Sequence, residues 1–96
     1  MKESLRSKLE TLSERLQELN ALLSASDVIN NQEQFRSLSI EYAQINPVVA
    51  CFEQYQATLD DLAAARDMLQ DSDPAVRQMA QEEFNIASER KERLEL

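Results

Sequence analysis

LRSKLETLSERLQELNALL, residues 5–23, repeats leucine at steps of 4, 3, 4, 3 and 4. The repeating positions are Leu5, Leu9, Leu12, Leu16, Leu19 and Leu23. A step that alternates between three and four residues places all of them on one side of an α-helix. Burial of a leucine contributes about 1.5–3 kcal/mol, so this stripe must face other apolar surface. The pattern predicts a first helix over residues 2–24 that packs within the domain or dimerises.

The composition favours helices over every other fold class. The chain has 96 residues, 43% of them apolar, with two prolines and no glycine. Tight hairpin turns and loops that cradle phosphates both depend on glycine. The sequence therefore predicts an all-α domain.

A second helix is predicted over residues 31–45. The polar stretch of residues 24–30 interrupts the leucine pattern, and Asn30 or Asn31 can cap a new helix. The apolar residues that follow keep helical spacing: Phe35, Leu38, Tyr42 and Ile45. Proline is usually tolerated only in the first turn of a helix, so Asn46 and Pro47 predict a sharp reorientation there.

Two further helices are predicted over residues 47–70 and 74–95. The third has a heptad-like seam that includes one charged member: Val48, Phe52, Tyr55, Leu59, Leu62, Arg66 and Leu69. Asp73 is the expected cap of the fourth helix, with Pro74 as its first residue. Its main apolar face is Val76, Ala80, Phe84, Ala87 and Leu94, with Met79 and Ile86 at the margin. The chain ends without a capping residue, which predicts a helix cut off before its natural end.

Together these segments predict a single domain over residues 1–96, an antiparallel bundle of four helices with coiled-coil-like packing. Their lengths are long, short, long and long. The leucine stripe also fits a dimeric zipper. Because three other amphipathic helices follow it, the chain can cover the stripe itself, and we expect a monomer.

The acidic residues are concentrated in the second half of the chain. The net charge is −8, whereas residues 1–24 sum to zero. Residues 53–83 contain two arginines and eight acids, namely Glu53, Asp60, Asp61, Asp67, Asp71, Asp73, Glu82 and Glu83. Nucleic-acid affinity comes largely from Lys and Arg, so direct nucleic-acid binding is not expected. This segment should prefer a basic protein partner or solvent.

No residue pattern indicates catalysis, a cofactor or a metal. The sequence has no histidine to activate a hydroxyl or complete a metal site. Asp71, Asp73 and Glu82 have the spacing of a calcium loop, but Val76 stands where that loop requires glycine. Cys51 is the only cysteine and is predicted to be a half-buried packing residue. With no apolar run long enough for a membrane span or a secretory signal, we expect a soluble, cytoplasmic protein.

Three strings are more specific than the helical pattern: FRSLSIEYAQI at residues 35–45, Cys51-Phe52, and DPAVRQMAQEE at residues 73–83. They resemble the amino-terminal helical domain of bacterial peptide chain release factor one, the family that directs translation termination at UAA and UAG stop codons. The resemblance spans nearly the whole chain. Ala75 and Phe84 depart from it, because the family often has an acidic residue and a leucine there.

The resemblance implies the leading domain of a longer release factor. The family's Gly-Gly-Gln and Pro-x-Thr motifs are absent from this sequence, so no catalytic or codon-reading residue carries over. The implied partners are the ribosome, at the GTPase-associated region of the large subunit, and release factor three. The eight acids of residues 53–83 are the expected contact surface. The alternative is a dimeric coiled-coil scaffold or adaptor.

Overall fold

Four helices account for most of the chain. The computed structural model describes residues 1–95. The helices are α1 (Glu3–Leu23), α2 (Ser26–Ile29), α3 (Gln32–Met68) and α4 (Pro74–Glu95). Residues 1–95 contain no strand, which confirms the all-α prediction. The predicted helix cut at the end of the chain falls at Leu96, outside the described residues.

Side-chain caps start the two long helices that follow α2. The Gln34 backbone N–H donates a hydrogen bond of 3.1 Å to Oδ1 of Asn31. The Ala75 backbone N–H donates one of 2.9 Å to Oδ1 of Asp73, immediately before Pro74. Each carboxyl or amide oxygen satisfies an N–H that has no partner within its helix. Both caps were predicted from the sequence, Asn31 as one of two candidates.

The predicted break at Pro47 is wrong. Helices predicted over residues 31–45 and 47–70 are one helix, α3, with Pro47 in its interior. An interior proline removes a backbone hydrogen bond and costs about 3 kcal/mol. Ile45 is half-buried, and Val49 and Phe52 are 2% and 4% exposed, so burial on both sides of the proline offsets that cost.

The predicted interruption between the first two long helices is confirmed, but the segment is not a simple loop. Residues 26–29 form the single-turn helix α2. Val28 anchors this turn, with an exposed fraction of only 2%. Ser24 caps the end of α1: its backbone N–H donates to the Ala21 carbonyl at 3.2 Å, and the next N–H, of Ala25, donates to the Leu22 carbonyl at 3.1 Å. An apolar anchor thus organises a segment whose local sequence indicates only a turn.

The chain forms two compact units, residues 1–52 and residues 53–96, and the boundary lies within α3. The prediction of a single domain over residues 1–96 stays a prediction.

The first unit contains α1, α2 and the first part of α3. Leu19, on the leucine stripe, is fully buried by the chain itself. Leu9, Leu12, Leu16 and Leu23 are half-buried. Leu5, at the start of the stripe, is 49% exposed. Within one chain the stripe is therefore covered completely at Leu19 and in part at four other positions.

The second unit is a pair of antiparallel helices, the rest of α3 and α4. In three contacts between them, residues with lower numbers on α3 meet residues with higher numbers on α4. The pairs are Arg66 with Phe84, Asp61 with Arg90, and Tyr55 with Glu95. The buried residues of this unit are Tyr55, Thr58, Leu62, Ala65, Ala80 and Ala87. Thr58 is satisfied despite full burial, because its Oγ1 donates a hydrogen bond of 2.8 Å to the Gln54 carbonyl.

The predicted seam of the third helix is correct only in part. Phe52, Tyr55 and Leu62 are buried as expected. Val48 is 43% exposed, and its neighbour Val49 is buried instead. Farther along, Thr58 and Ala65 are buried where the sequence pattern chose their larger neighbours, Leu59 and Arg66. Small side chains let two helices approach closely, and a pattern built on large apolar residues does not detect them.

Arg66, the charged member of the predicted seam, lies at the surface, and its neighbour Ala65 takes the buried position. The Arg66 side chain is exposed, and its guanidinium carbon lies 5.9 Å from the centre of the Phe84 ring. Cys51, in contrast, is exposed, which corrects its assignment as a half-buried packing residue. Its neighbour Phe52 takes the buried position.

Candidate functional site

All eight acidic candidates belong to the second unit, and all are exposed. Four lie on α3, two in the connection to α4, and two on α4: Glu53, Asp60, Asp61, Asp67, Asp71, Asp73, Glu82 and Glu83. They do not form one cluster. Seven of them fall into three groups with different surroundings, and Glu82 is exposed on α4 outside these groups.

The first group is an acidic stripe, which we define as Glu53, Asp60 and Asp67. These residues are seven apart on α3, so they lie on nearly the same side of the helix. The buried residues Leu62 and Ala65 lie on the other side. The acidic stripe therefore faces solvent within its unit and is open to a partner.

The second group, Asp71 and Asp73, organises the connection between α3 and α4. Asp71 accepts a hydrogen bond of 2.8 Å at Oδ1 from the Asp73 backbone N–H, and Asp73 caps α4. Arg77 donates from its guanidinium to the carbonyls of Asp71 and Ser72, at 2.8 and 3.2 Å. These two carboxylates shape the turn, which is a structural role that the sequence indicated for Asp73 alone.

The third group borders a groove between α3 and α4 of the second unit. We call this the α3–α4 groove; it encloses about 270 Å³. Asp61 and Glu83 line it, and so do the apolar residues Met68 and Ile86. Sequence reasoning missed this combination because Ile86 was assigned to the margin of the α4 core, whereas it is 51% exposed.

An ion pair that was also missed joins α1 to α3 within the first unit. The Nε of Arg15 lies 2.7 Å from one carboxylate oxygen of Glu41, and the second terminal nitrogen lies 2.7 Å from the other. Arg15 also donates to Glu18 at 2.9 Å. The hydrogen bonds from Arg15 lower the pKa of Glu41, and the same contact raises the pKa of Arg15. This two-pronged contact fixes one helix against the other.

Within residues 1–95, no three His, Cys, Asp or Glu side chains converge in a way that would hold a metal ion. No helix in that range is both long enough and apolar enough to cross a bilayer.

Comparison with known families identifies the chain. The family model of the PCRF domain matches residues 12–96. The chain belongs to the PCRF domain family. It is thus a peptide chain release factor domain, as the three sequence strings suggested. No solved structure matches it.

The matched range of the PCRF domain covers most of the first unit and all of the second. It includes the Arg15–Glu41 pair, the acidic stripe and both walls of the α3–α4 groove. The family therefore assigns a translation-termination context to these surfaces without assigning a role to any single residue.

Proposed function

We propose that this PCRF domain is the leading, non-catalytic domain of a bacterial release factor that acts at UAA and UAG stop codons. Its task in that factor is to contact the ribosome and a partner factor. The observation that carries the proposal is the acidic stripe, which presents three carboxylates from one side of α3 to solvent in a domain of the release factor family.

The absence of histidine and of a Gly-Gly-Gln motif from the sequence supports a contact role. Hydrolysis needs a positioned base or a motif that orients water, and the sequence contains neither histidine nor Gly-Gly-Gln. Codon reading and ester hydrolysis then belong to other parts of the factor. The domain itself is not an enzyme and needs no cofactor.

The charge of the second unit selects the kind of partner. Its exposed carboxylates repel rRNA phosphates and attract basic protein surfaces, which steers association at long range. The partners that the family resemblance implies are a protein of the GTPase-associated region of the large subunit and release factor three, and a basic face on either one would complete the contact. The domain works in the cytoplasm, away from membranes.

The acidic stripe provides the test of ribosome contact. Glu53→Gln combined with Asp60→Asn and Asp67→Asn removes three charges while keeping side-chain size. We expect this variant to cosediment less with bacterial ribosomes than the parent chain does, because long-range attraction to basic protein is reduced. The matched control is Glu3→Gln with Glu14→Gln and Glu33→Gln, three exposed acids of the first unit. Equal loss in both variants, or no loss in either, would reject the acidic stripe as the contact.

The alternative is a dimeric scaffold joined through the leucine stripe. The full burial of Leu19 within one chain weighs against it, since a zipper leaves that position for the partner helix. Sedimentation equilibrium distinguishes the two. Our proposal requires an 11.0 kDa monomer at every concentration, whereas a stable dimer would support the scaffold.

A further inference from the structure

The α3–α4 groove has an apolar floor that no residue among 53–95 covers. Met68 is 44% exposed and Ile86 is 51% exposed. Met79 lies seven residues before Ile86, on nearly the same side of α4, and is 62% exposed. Single exposed apolar residues are ordinary, but an aligned set beside a groove is typical of a protein-binding surface. The second unit therefore has an exposed apolar surface along the α3–α4 groove, next to its acids.

The charges at the rim of the α3–α4 groove determine what kind of segment can bind in it. Arg90 lies 3.6 Å from Asp61, so the positive charge that lines the groove is already paired. Glu83, which also lines it, makes no ion pair with any residue among 1–95. Asp60, Asp67 and Glu82 add exposed negative charge on the neighbouring sides of the two helices. A segment that enters the groove meets net negative charge on both flanks.

The shape of the groove favours a helix over an extended segment. A strand gains affinity by pairing its backbone with an exposed sheet edge, and residues 1–95 contain no strand. A groove between two antiparallel helices instead accepts a third helix, which packs its apolar side along the groove. Unbranched methionines such as Met68 adapt to the side chains of the incoming helix.

We propose that the α3–α4 groove binds a basic amphipathic helix of a partner protein. The helix would bury apolar residues at positions i, i+3 or i+4, and i+7 against Met68 and Ile86. Its flanking Lys or Arg residues would face Glu83 and the surrounding carboxylates. This inference rests on the proposed partner-contact role of the second unit. It adds the structural class of the partner segment and the place where that segment binds.

The test uses a designed probe, a fluorescein-labelled amphipathic Leu/Lys peptide of about 18 residues, roughly five helical turns. Fluorescence anisotropy measures its dissociation constant for the 96-residue chain. Ile86→Glu should weaken binding by about tenfold or more, because it places a charge on the apolar floor. The matched control is Ile40→Glu in the first unit, whose parent side chain has a similar exposure of 49%. Its affinity should equal that of the parent chain.

Three outcomes would overturn the proposal. The first is equal affinity of the Ile86→Glu variant and the parent chain. The second is equal binding of a peptide in which alanine replaces every leucine, since that would show attraction by charge alone. The third is a parent chain that dimerises in sedimentation and becomes monomeric on Ile86→Glu, since the occupant would then be a second copy. Ile86→Ala should also weaken peptide binding. Because alanine is a strong helix former, this variant provides a second test in case the glutamate variant misfolds.

Ribosome cosedimentation separates this inference from the proposed function. A parent chain that does not associate with ribosomes overturns the proposed function, while the peptide result still decides the groove. Conversely, peptide binding that is insensitive to Ile86→Glu overturns the groove, while ribosome association through the acidic stripe stands.

Discussion

Leu19 carries more of the packing of α1 than any other leucine of its stripe. It is the only one with no exposed surface, whereas Leu5 has nearly half of its surface in water. The stabilisation that a leucine provides depends on the apolar area removed from water, so the same residue type contributes unequally along one helix.

Leu19→Ala should therefore lower the free energy of unfolding by about 2–5 kcal/mol, the range for a buried leucine that leaves a cavity. Leu5→Ala is the control and should change it far less. Urea denaturation followed by circular dichroism measures both. Similar losses in the two variants would show that burial along the stripe is uniform.

Glu41 links stability to pH. Its pKa is lowered in the folded state by the hydrogen bonds from Arg15, so the folded state holds this carboxylate ionised more strongly than the unfolded chain does. The resulting stabilisation is complete above the unfolded pKa and is lost as the pH falls through the lower, folded pKa.

Glu41→Gln should consequently make the thermal midpoint less sensitive to acid, over the pH range below the ordinary titration of a glutamate. At neutral pH the variant should be less stable than the parent, and the two should converge as acid is added. Glu33→Gln, an exposed carboxylate, is the control and should leave the acid dependence as it is. Parallel curves for parent and Glu41→Gln would contradict the linkage.

At the scale of the element, α3 is the unusual helix. It extends over 37 residues, contains a proline, and contributes buried residues to both compact units. A helix this long keeps its continuity through Pro47 because side chains before and after the proline are held by packing.

Pro47→Ala should raise the free energy of unfolding by about 1–3 kcal/mol, because alanine restores a backbone N–H and removes the clash with the preceding turn. Asn46→Ala, an exposed neighbour, controls for helix propensity alone. Chemical denaturation of the three chains provides the comparison. A Pro47→Ala variant less stable than the parent would mean that the proline ring itself is needed by the fold.

At the scale of the whole molecule, charge acts against compactness. The net charge is −8, and all eight acids of residues 53–83 are exposed. Only Asp61 of these eight forms an ion pair with a residue among 1–95. Mutual repulsion among the remaining carboxylates should therefore reduce stability when salt does not screen it.

Raising the ionic strength from about 0.01 M to about 0.15 M shortens the screening length from roughly 30 to 8 Å, so the melting temperature should increase. The variant that neutralises Glu53, Asp60 and Asp67 should show a smaller increase. Calorimetry at the two salt concentrations measures both. A melting temperature that falls with salt would show that attractive pairs outweigh repulsion.

The local sequence determined the all-α class, the caps of α3 and α4 and the acidic chemistry of the second unit. Asn31 and Asp73 start helices through oxygens that reach backbone groups two or three residues away, so neighbours alone specify them. The placement of all eight acids at the surface likewise follows from their charge. The string at residues 35–45 indicated the release factor family before any packing was known.

Tertiary structure alone decided the continuity of α3 through Pro47, the burial of Thr58 and Ala65, the Arg15–Glu41 pair and the α3–α4 groove. Each of these depends on groups far apart in sequence. Local preferences amount to a few kcal/mol at most for any one residue, and long-range burial can exceed them, as it does at the proline. A helix pattern states which residues share a side, but only the partner helix determines which side is covered.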